Sequence, residues 1–258
     1  MSLSHISSWN PPSKNNQLIN ENESKKILIF GDGGLSNGFI DNFLIDPNVS
    51  EIFYTSRKQG FDENRSRVQS VYFDFDEFIE NQSIDPIESI LKKKPNVIIF
   101  ATGILHSEKF MPEKKIDEVE LANLYTLFNI NAFVPFLILK KIIHFYRRTD
   151  QVFFGFISAR VGSIEDNRLG GWYSYRASKA SLNMLIKTAS IELKRTHPEF
   201  RIKILHPGTV DTNLSKPFAK NSNYKIMTPK ESTEKMIKVL FNREEGLFYD
   251  FNGKEIKY

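Results

Sequence analysis

The sequence predicts an α/β fold: a doubly wound parallel sheet of about seven strands, with helices on both faces and a single domain. Short, almost continuously apolar segments alternate with stretches of helical periodicity from about residue 26 onward. Continuous apolar runs are typical of parallel strands that are covered on both faces. Each run is followed by small, polar or glycine residues. Because ligands bind beyond the carboxyl ends of such strands, we expect the functional site at that edge.

The composition limits the classes of function. A hydrophobic content of 40% in 258 residues is enough for a large core. The 35 Lys and Arg residues exceed the 31 Asp and Glu residues only slightly and form no basic stripe, so no nucleic-acid partner is expected. The absence of cysteine excludes disulfides and thiolate metal sites, and no metal is expected.

The cellular location and the extent of the folded domain are also predicted from the sequence. The unbroken apolar runs are too short to span a bilayer, and no secretory leader is visible. We therefore expect a cytoplasmic protein without a membrane partner. Residues 1–25 are rich in Ser, Asn and Lys and predict a disordered or loosely attached extension to a domain over residues 26–258.

The first strand, residues 27–30, runs directly into a glycine-rich turn, and a helix begins near Ser36. In this arrangement backbone N–H groups and a helix N-terminus can meet a pyrophosphate. The alternative is a tight turn that merely needs glycine backbone angles. Asp32 would place a negative charge close to the phosphates. The candidate nucleotide-binding residues are Gly31, Gly33, Gly34, Leu35 and Ser36.

The second strand, residues 51–55, ends in Ser56, Arg57 and Lys58. In a dinucleotide fold this strand end meets the adenosine ribose. An acidic residue there accepts from a 2′-hydroxyl, whereas a hydroxyl with a cation suits a 2′-phosphate. Ser56 and Arg57 therefore favour NADP(H) over NAD(H). A surface cation in a loop is the alternative.

The third and fourth strands are predicted over residues 71–73 and 97–100. The third leads into Asp74 and Phe75, and helical spacing follows through residues 84–91 until Pro95 ends it. The fourth ends in Ala101, Thr102 and Gly103, small residues that let a ligand approach the backbone.

One long helical pattern covers residues 116–147 and contains Asn131 among apolar neighbours. Pro135, one turn later, removes a backbone hydrogen bond and frees a carbonyl nearby. A buried asparagine bonded to backbone and a functional asparagine are both open at this point.

The fifth strand, residues 152–158, and a polar loop over residues 159–171 precede a helix that carries Tyr175 and Lys179. Residues four apart share a helix face, so the ammonium can stand beside the phenol. A free tyrosine has a pKa of about 10, and a nearby cation favours its ionised form. The pair therefore predicts a proton-transfer site, with an exposed pair on a solvated face as the alternative.

The remaining elements are a strand at residues 202–205, a helix at residues 229–241 and a strand near residues 246–251. The sixth strand is closed by residues 206–212, which contain a Pro-Gly pair. Residues 213–228 are polar and would roof the site.

With these pieces in order, the chain resembles the short-chain dehydrogenase/reductase family, in particular its C-factor-like and sniffer-like carbonyl reductases. The motifs that carry the resemblance are residues 101–106, 111–114, 158–164, 170–180 and 206–212. The resemblance covers nearly the whole chain from about residue 26 and implies a Rossmann-like NAD(P)-binding domain. It also implies an NADP(H)-dependent oxidoreductase that transfers a hydride between the nicotinamide and a small carbonyl or alcohol substrate, and a homodimer or homotetramer.

The resemblance also implies roles for individual residues. Tyr175 would be the general acid, and Lys179 would hold the nicotinamide ribose and lower the pKa of the phenol. Asn131 would position a water that links the lysine to solvent. The nicotinamide would be covered by Pro207, Gly208, Val210 and Thr212, and the adenine would be flanked by Asp74 and Phe75.

Two departures from the family pattern leave alternatives open. The usual catalytic serine position falls on Ala159, so Ser158 is the candidate to orient the carbonyl and Ser163 its substitute. Adjacent strand residues face opposite ways, so Ser158 can serve only if the strand end is twisted or bulged. The family glycines expected near Leu35 and Asn37 are also missing. A nucleotide-binding regulatory or signalling protein with little turnover is therefore the alternative function.

Overall fold

The computed structural model describes residues 24–58, 66–219, 226–242 and 246–258. The predicted extension, residues 1–25, lies almost entirely outside the described residues. Within these described ranges, seven strands form one sheet in the order β3-β2-β1-β4-β5-β6-β7, and every neighbouring pair is parallel. The predicted doubly wound sheet is confirmed. The strands are β1 (Lys25–Phe30), β2 (Val49–Ser56), β3 (Val68–Tyr72), β4 (Val97–Phe100), β5 (Val152–Ile157), β6 (Phe200–His206) and β7 (Phe248–Asp250).

Helices cover both faces of the sheet, and the two cores follow the alternation of side chains along each strand. In β1, Leu28 and Phe30 face one core, and Ile27 and Ile29 face the other. The first core is covered by α2, α3, α5 and α6 and the second by α1 and α8. The helices are α1 (Gly34–Ile45), α2 (Phe75–Asn81), α3 (Asp85–Lys92), α4 (Leu121–Phe128), α5 (Val134–Ile142), α6 (Tyr173–Thr196), α7 (Lys216–Ala219) and α8 (Pro229–Phe241).

Three phenylalanines form a ladder across the centre of the sheet. Phe30, Phe100 and Phe156 lie on β1, β4 and β5, and all three are almost fully buried. The ring centroids of Phe30 and Phe100 are 4.8 Å apart, and those of Phe100 and Phe156 are 4.4 Å apart, both nearly parallel. The ladder ties together the three strands whose ends carry the predicted site.

The long helix predicted over residues 116–147 is broken. A 3₁₀ turn at Ile116–Glu118 is followed by an extended residue, and the continuous helix begins only at Leu121. A π-helical turn, Asn129–Phe133, then separates α4 from α5. The physical reason for the π turn is Pro135, which has no N–H to give to the carbonyl four residues earlier, so the helix widens there.

The helix predicted through residues 84–91 is α3, and a short helix that the sequence did not predict, α2, precedes it. Gln82 ends α2 in the left-handed conformation with a φ of 52°. A proline near the start of α3 then begins a new helix.

One helical stretch, Leu121–Phe145, is long and apolar enough to cross a membrane by length and composition. This stretch includes the π turn. The sequence-based search for membrane spans did not find it, because that search considered only unbroken runs of apolar residues. Of its most apolar window, 44% is buried inside the protein.

Candidate active site

A cavity of about 390 Å³ opens at the carboxyl edge of the sheet. It lies where the strand order reverses, between β1 and β4, the position at which doubly wound sheets bind ligands. Segments that follow β1, β4, β5 and β6 form its wall together with α6. From the predicted set, the lining includes Gly33, Gly34, Leu35, Ala101, Thr102, Gly103, Ser158, Tyr175, Lys179, Pro207, Gly208, Val210 and Thr212.

Several predicted residues do not line the cavity: Gly31, Ser36, Ser56, Arg57, Asp74, Phe75 and Asn131. Asp74 caps the N-terminus of α2 by accepting from the Asp76 N–H, and Phe75 packs edge-on against Phe73. Both lie beyond the end of β3, at the far side of the sheet from Tyr175.

The glycine turn presents a bare helix end to the cavity. Gly31 has a φ of +117° and donates its N–H to the Thr55 hydroxyl. A Cβ on Gly34 would lie 2.9 Å from Thr212, so only glycine fits there without movement. Among the described residues, no side chain caps the start of α1, and the buried Ser36 hydroxyl has no hydrogen-bond partner. Uncapped N–H groups beside a cavity fit the phosphates of a dinucleotide.

The end of β2 carries a contact that the sequence did not predict. The Ser56 hydroxyl donates to the Asp32 carboxylate at 2.6 Å, and the Lys58 N–H donates to the same hydroxyl. Arg57 is exposed between them. A carboxylate and a hydroxyl therefore meet at the strand end where the ribose was expected, and the exposed Arg57 is next to them in the chain.

Tyr175 and Lys179 are both buried in the first turns of α6. The Lys179 ammonium donates to the Ile157 carbonyl at 3.1 Å and lies 5.9 Å from the centroid of the Tyr175 ring. Burial raises the pKa of the Tyr175 phenol above its ordinary value and lowers the pKa of the Lys179 ammonium to about 8. In this arrangement desolvation outweighs the predicted lowering of the phenol pKa by the lysine.

Asn131 lies in the π turn and is fully buried. Its Oδ1 accepts from the Ile104 N–H at 2.8 Å, and its Nδ2 donates to the Ile104 carbonyl and to the Ser178 hydroxyl. The side chain therefore joins the segment after β4 to α6. A Cβ on Gly103 would lie 3.2 Å from the Lys179 Nζ and 3.3 Å from the Asn131 Oδ1, so this glycine gives both groups their room.

The two serine candidates differ in position. Ser158 lines the cavity, but its hydroxyl donates to the Asn183 Oδ1 at 2.7 Å. Ser163 is buried outside the lining and accepts from the Asp166 N–H. Ala159, at the usual serine position of the resembled family, lines the cavity.

Sequence reasoning missed the apolar half of the cavity. Leu105, Leu127 and Tyr175 form a small core cluster against which Trp172 and Phe218 pack. Leu105 and Trp172 lie on loops, where no periodicity marks them. Asn213, Leu214 and Ser215 belong to the segment that was expected to roof the site, and Ala159 stands at the expected serine position. The lining residues that were not predicted are Ile104, Leu105, His106, Ile157 and His206.

His206 is the missed residue with the strongest chemical signal. It is the last residue of β6, and its buried Nδ1 has no hydrogen-bond partner in the part of the chain that the structure describes. Burial, and secondarily Arg160, lowers the pKa of the imidazole to about 4. Its place before the Pro-Gly pair was the signal available in the sequence.

Comparison with known proteins identifies a family. The family described as SDR-like Rossmann domain matches residues 15–233. The C-signal protein of Myxococcus xanthus is 31% identical over 147 residues, which cover 55% of this chain and 83% of the relative. An uncharacterized oxidoreductase of Saccharomyces cerevisiae is 31% identical over 193 residues, which cover 68% of this chain and 72% of the relative.

Solved structures agree with the fold. Carbonyl reductase Sniffer of D. melanogaster superposes with a TM-score of 0.74 at 23% identity, covering 92% of this chain and all of that one. A short-chain dehydrogenase/reductase of Burkholderia multivorans with bound NADP gives a TM-score of 0.71 at 20% identity, covering 91% of this chain and all of that one.

Proposed function

Because this chain belongs to the family of SDR-like Rossmann domains, we propose that it is an oxidoreductase which moves a hydride between a nicotinamide cofactor and a small carbonyl or alcohol substrate. The observation that carries the proposal is the burial of Tyr175 and Lys179 on one helix at the cavity. A purely nucleotide-binding protein needs no phenol in that place. The names of the carbonyl reductase neighbour and the oxidoreductase relative support the same class of reaction.

In the proposed reaction a bound nicotinamide supplies or accepts the hydride, and the side chains of this chain handle the proton. Because burial raises the pKa of Tyr175, the phenol is protonated at neutral pH and can give its proton to the carbonyl oxygen. Lys179, whose pKa is about 8, is mainly charged at neutral pH and favours the phenolate that remains. Asn131 supports both by fixing α6 against the segment after β4.

Each part of the cofactor is assigned its own group of residues. The uncapped start of α1, at Gly33, Gly34 and Leu35, would hold the phosphates. Lys179 would hold the nicotinamide ribose. Asp74 and Phe75 stay candidates for the adenine side. The nicotinamide would lie against Pro207, Gly208, Val210 and Thr212, which line the same wall.

We propose a preference for NADP(H) over NAD(H), carried by Arg57. Arg57→Ala should weaken NADPH binding at least about tenfold and NADH binding less than about twofold, since a charged hydrogen bond contributes roughly 1.5–3 kcal/mol. Titration of intrinsic fluorescence with both nucleotides measures this. Lys92→Ala, which removes an exposed cation from α3, is the control and should change neither affinity. Equal losses for the two nucleotides would remove the 2′-phosphate assignment.

Ser158 stays the proposed group that orients the carbonyl, with Ser163 as its substitute, but the Ser158 proton is committed to Asn183. We therefore expect Ser158→Ala to lower kcat by less than about tenfold. Ala159→Ser should instead raise kcat about tenfold, because one added hydrogen bond of about 1.4 kcal/mol changes a rate by that factor. Steady-state kinetics on both variants decides the matter. A loss beyond about 100-fold in Ser158→Ala would make Ser158 the essential donor.

The overall proposal is tested by NADPH oxidation with a panel of small aldehydes and ketones. Turnover of any of them supports the oxidoreductase. The similarity to C-signal favours the second candidate, a nucleotide-binding signalling protein with little turnover. Saturable NADPH binding without oxidation of any carbonyl compound would favour that candidate.

We also propose a cytoplasmic homodimer or homotetramer that pairs through the long helices. Leu121 and Tyr125 on α4, and Met184 and Ile191 on α6, are large apolar side chains that are more than half exposed. Light scattering on the purified protein would give the mass of the assembly.

A further inference from the structure

The helix that carries Tyr175 begins in an unusual way. The residue before α6, Trp172, is in the left-handed conformation with φ 52° and ψ 41° and supplies no capping side chain. A non-glycine residue in that region is uncommon and is held there by its surroundings. The first N–H groups of a helix have no partner within the helix and need one from elsewhere.

Glu113, far away in the sequence, supplies that partner. Its side chain accepts from the Ser174 N–H at 3.3 Å and also from the Ser174 hydroxyl. Its own backbone carbonyl accepts from the Trp172 N–H at 2.5 Å. The residue is 3% exposed, which is rare for a glutamate unless its charge is satisfied.

A buried carboxylate at this place stabilises the helix in two ways. It accepts hydrogen bonds that would otherwise be missing, and bonds to a charged acceptor are stronger than bonds between neutral groups. Its negative charge also lies at the positive end of the helix dipole. Glu113 therefore fixes the first turn of α6 through the main chain and the side chain together.

Tyr175 directly follows the residue that Glu113 binds. Its ring packs edge-on against Trp172, with the centroids 6.2 Å apart. The two residues that Glu113 hydrogen-bonds therefore both adjoin Tyr175, Trp172 through its ring and Ser174 along the chain. We propose that Glu113 is a positioning residue that sets the place of the Tyr175 hydroxyl in the cavity. This inference rests on the proposed oxidoreductase function.

Two variants test it. Glu113→Ala should lower kcat about 100-fold with KM and NADPH affinity changed less than about threefold, because a displacement of about 1 Å costs a rate factor of that order. Glu113→Gln keeps an oxygen that can accept one of the two bonds and should restore most of the loss. Glu118→Gln is the matched control: that carboxylate accepts from the N–H groups of Lys114 and Lys115 in the same loop, and kcat should stay within about twofold.

Amide hydrogen exchange followed by mass spectrometry gives a readout that does not depend on turnover. Exchange in the first turn of α6 should rise in the Glu113 variants, and exchange in the rest of the helix should not. If both Glu113 variants keep the wild-type kcat, or lose kcat only in step with the folded fraction, the inference is overturned. If exchange rises but the wild-type protein turns over no carbonyl compound, the anchor stands and the proposed function fails. If Glu113→Ala does not fold, Glu113→Gln alone decides by the same two readouts.

Discussion

Tyr175→Phe is expected to lower kcat for carbonyl reduction by about 10³-fold or more while NADPH affinity stays within about twofold. The substitution removes only the hydroxyl, and the ring keeps its place against Trp172, Leu105 and Leu127. A positioned general acid contributes about 10²–10⁴-fold to a rate, and the proton of the nearby Ser158 is already donated to Asn183. Stopped-flow oxidation of NADPH measures the loss, and a fluorescence titration measures the affinity.

Tyr173→Phe provides the matched control. Tyr173 is the first residue of the same helix, is 40% exposed and does not line the cavity. Its loss of a hydroxyl should leave kcat within about twofold. If Tyr175→Phe kept more than a tenth of the wild-type kcat, the phenol would not be the acid and the mechanism would be wrong.

Phe156→Ala should have the largest effect on stability, lowering the free energy of unfolding by about 3–5 kcal/mol. Phe156 is fully buried in the inner strand β5 and stacks on Phe100 of the central strand β4. Alanine leaves a cavity in the middle of the ladder, and β4 and β5 can close it only by moving the strand ends that carry the site. Urea unfolding followed by circular dichroism measures the change.

The control for the stability measurement is Leu169→Ala. Leu169 is 92% exposed, so its truncation should change the free energy of unfolding by less than about 0.5 kcal/mol. A loss below about 1 kcal/mol in Phe156→Ala would mean that the ladder does not hold the sheet together.

The sheet was predictable because a strand that is buried on both faces has an almost continuously apolar sequence. Residues 97–100 are apolar on both faces, and β4 is indeed covered on both. The π turn at Asn129–Phe133 was only half predictable. Pro135 predicts a missing backbone hydrogen bond, but the sequence does not determine whether the helix kinks, ends or forms a wider turn at that place.

The candidate site also has a part that the sequence predicts and a part that it does not. Tyr175 and Lys179 share a helix, so their spacing fixed their common face. The contacts of Asp32 with Ser56 and of Glu113 with Ser174 join parts of the chain that are far apart. No local pattern encodes such contacts, since they exist only after the strands and loops have taken their places. The same holds for the pKa of Tyr175, which depends on how deeply the ring is buried.

The crevice between β1 and β4 divides the chain into an early part, with β1 to β3, and a later part, with β4 to β7. A dinucleotide seated there would touch both parts and act as a cross-link between them. Ligand at about 100 times its dissociation constant would add about 2.7 kcal/mol to the folded state. The two parts, produced as separate polypeptides, would then reassemble more readily when the nucleotide is supplied.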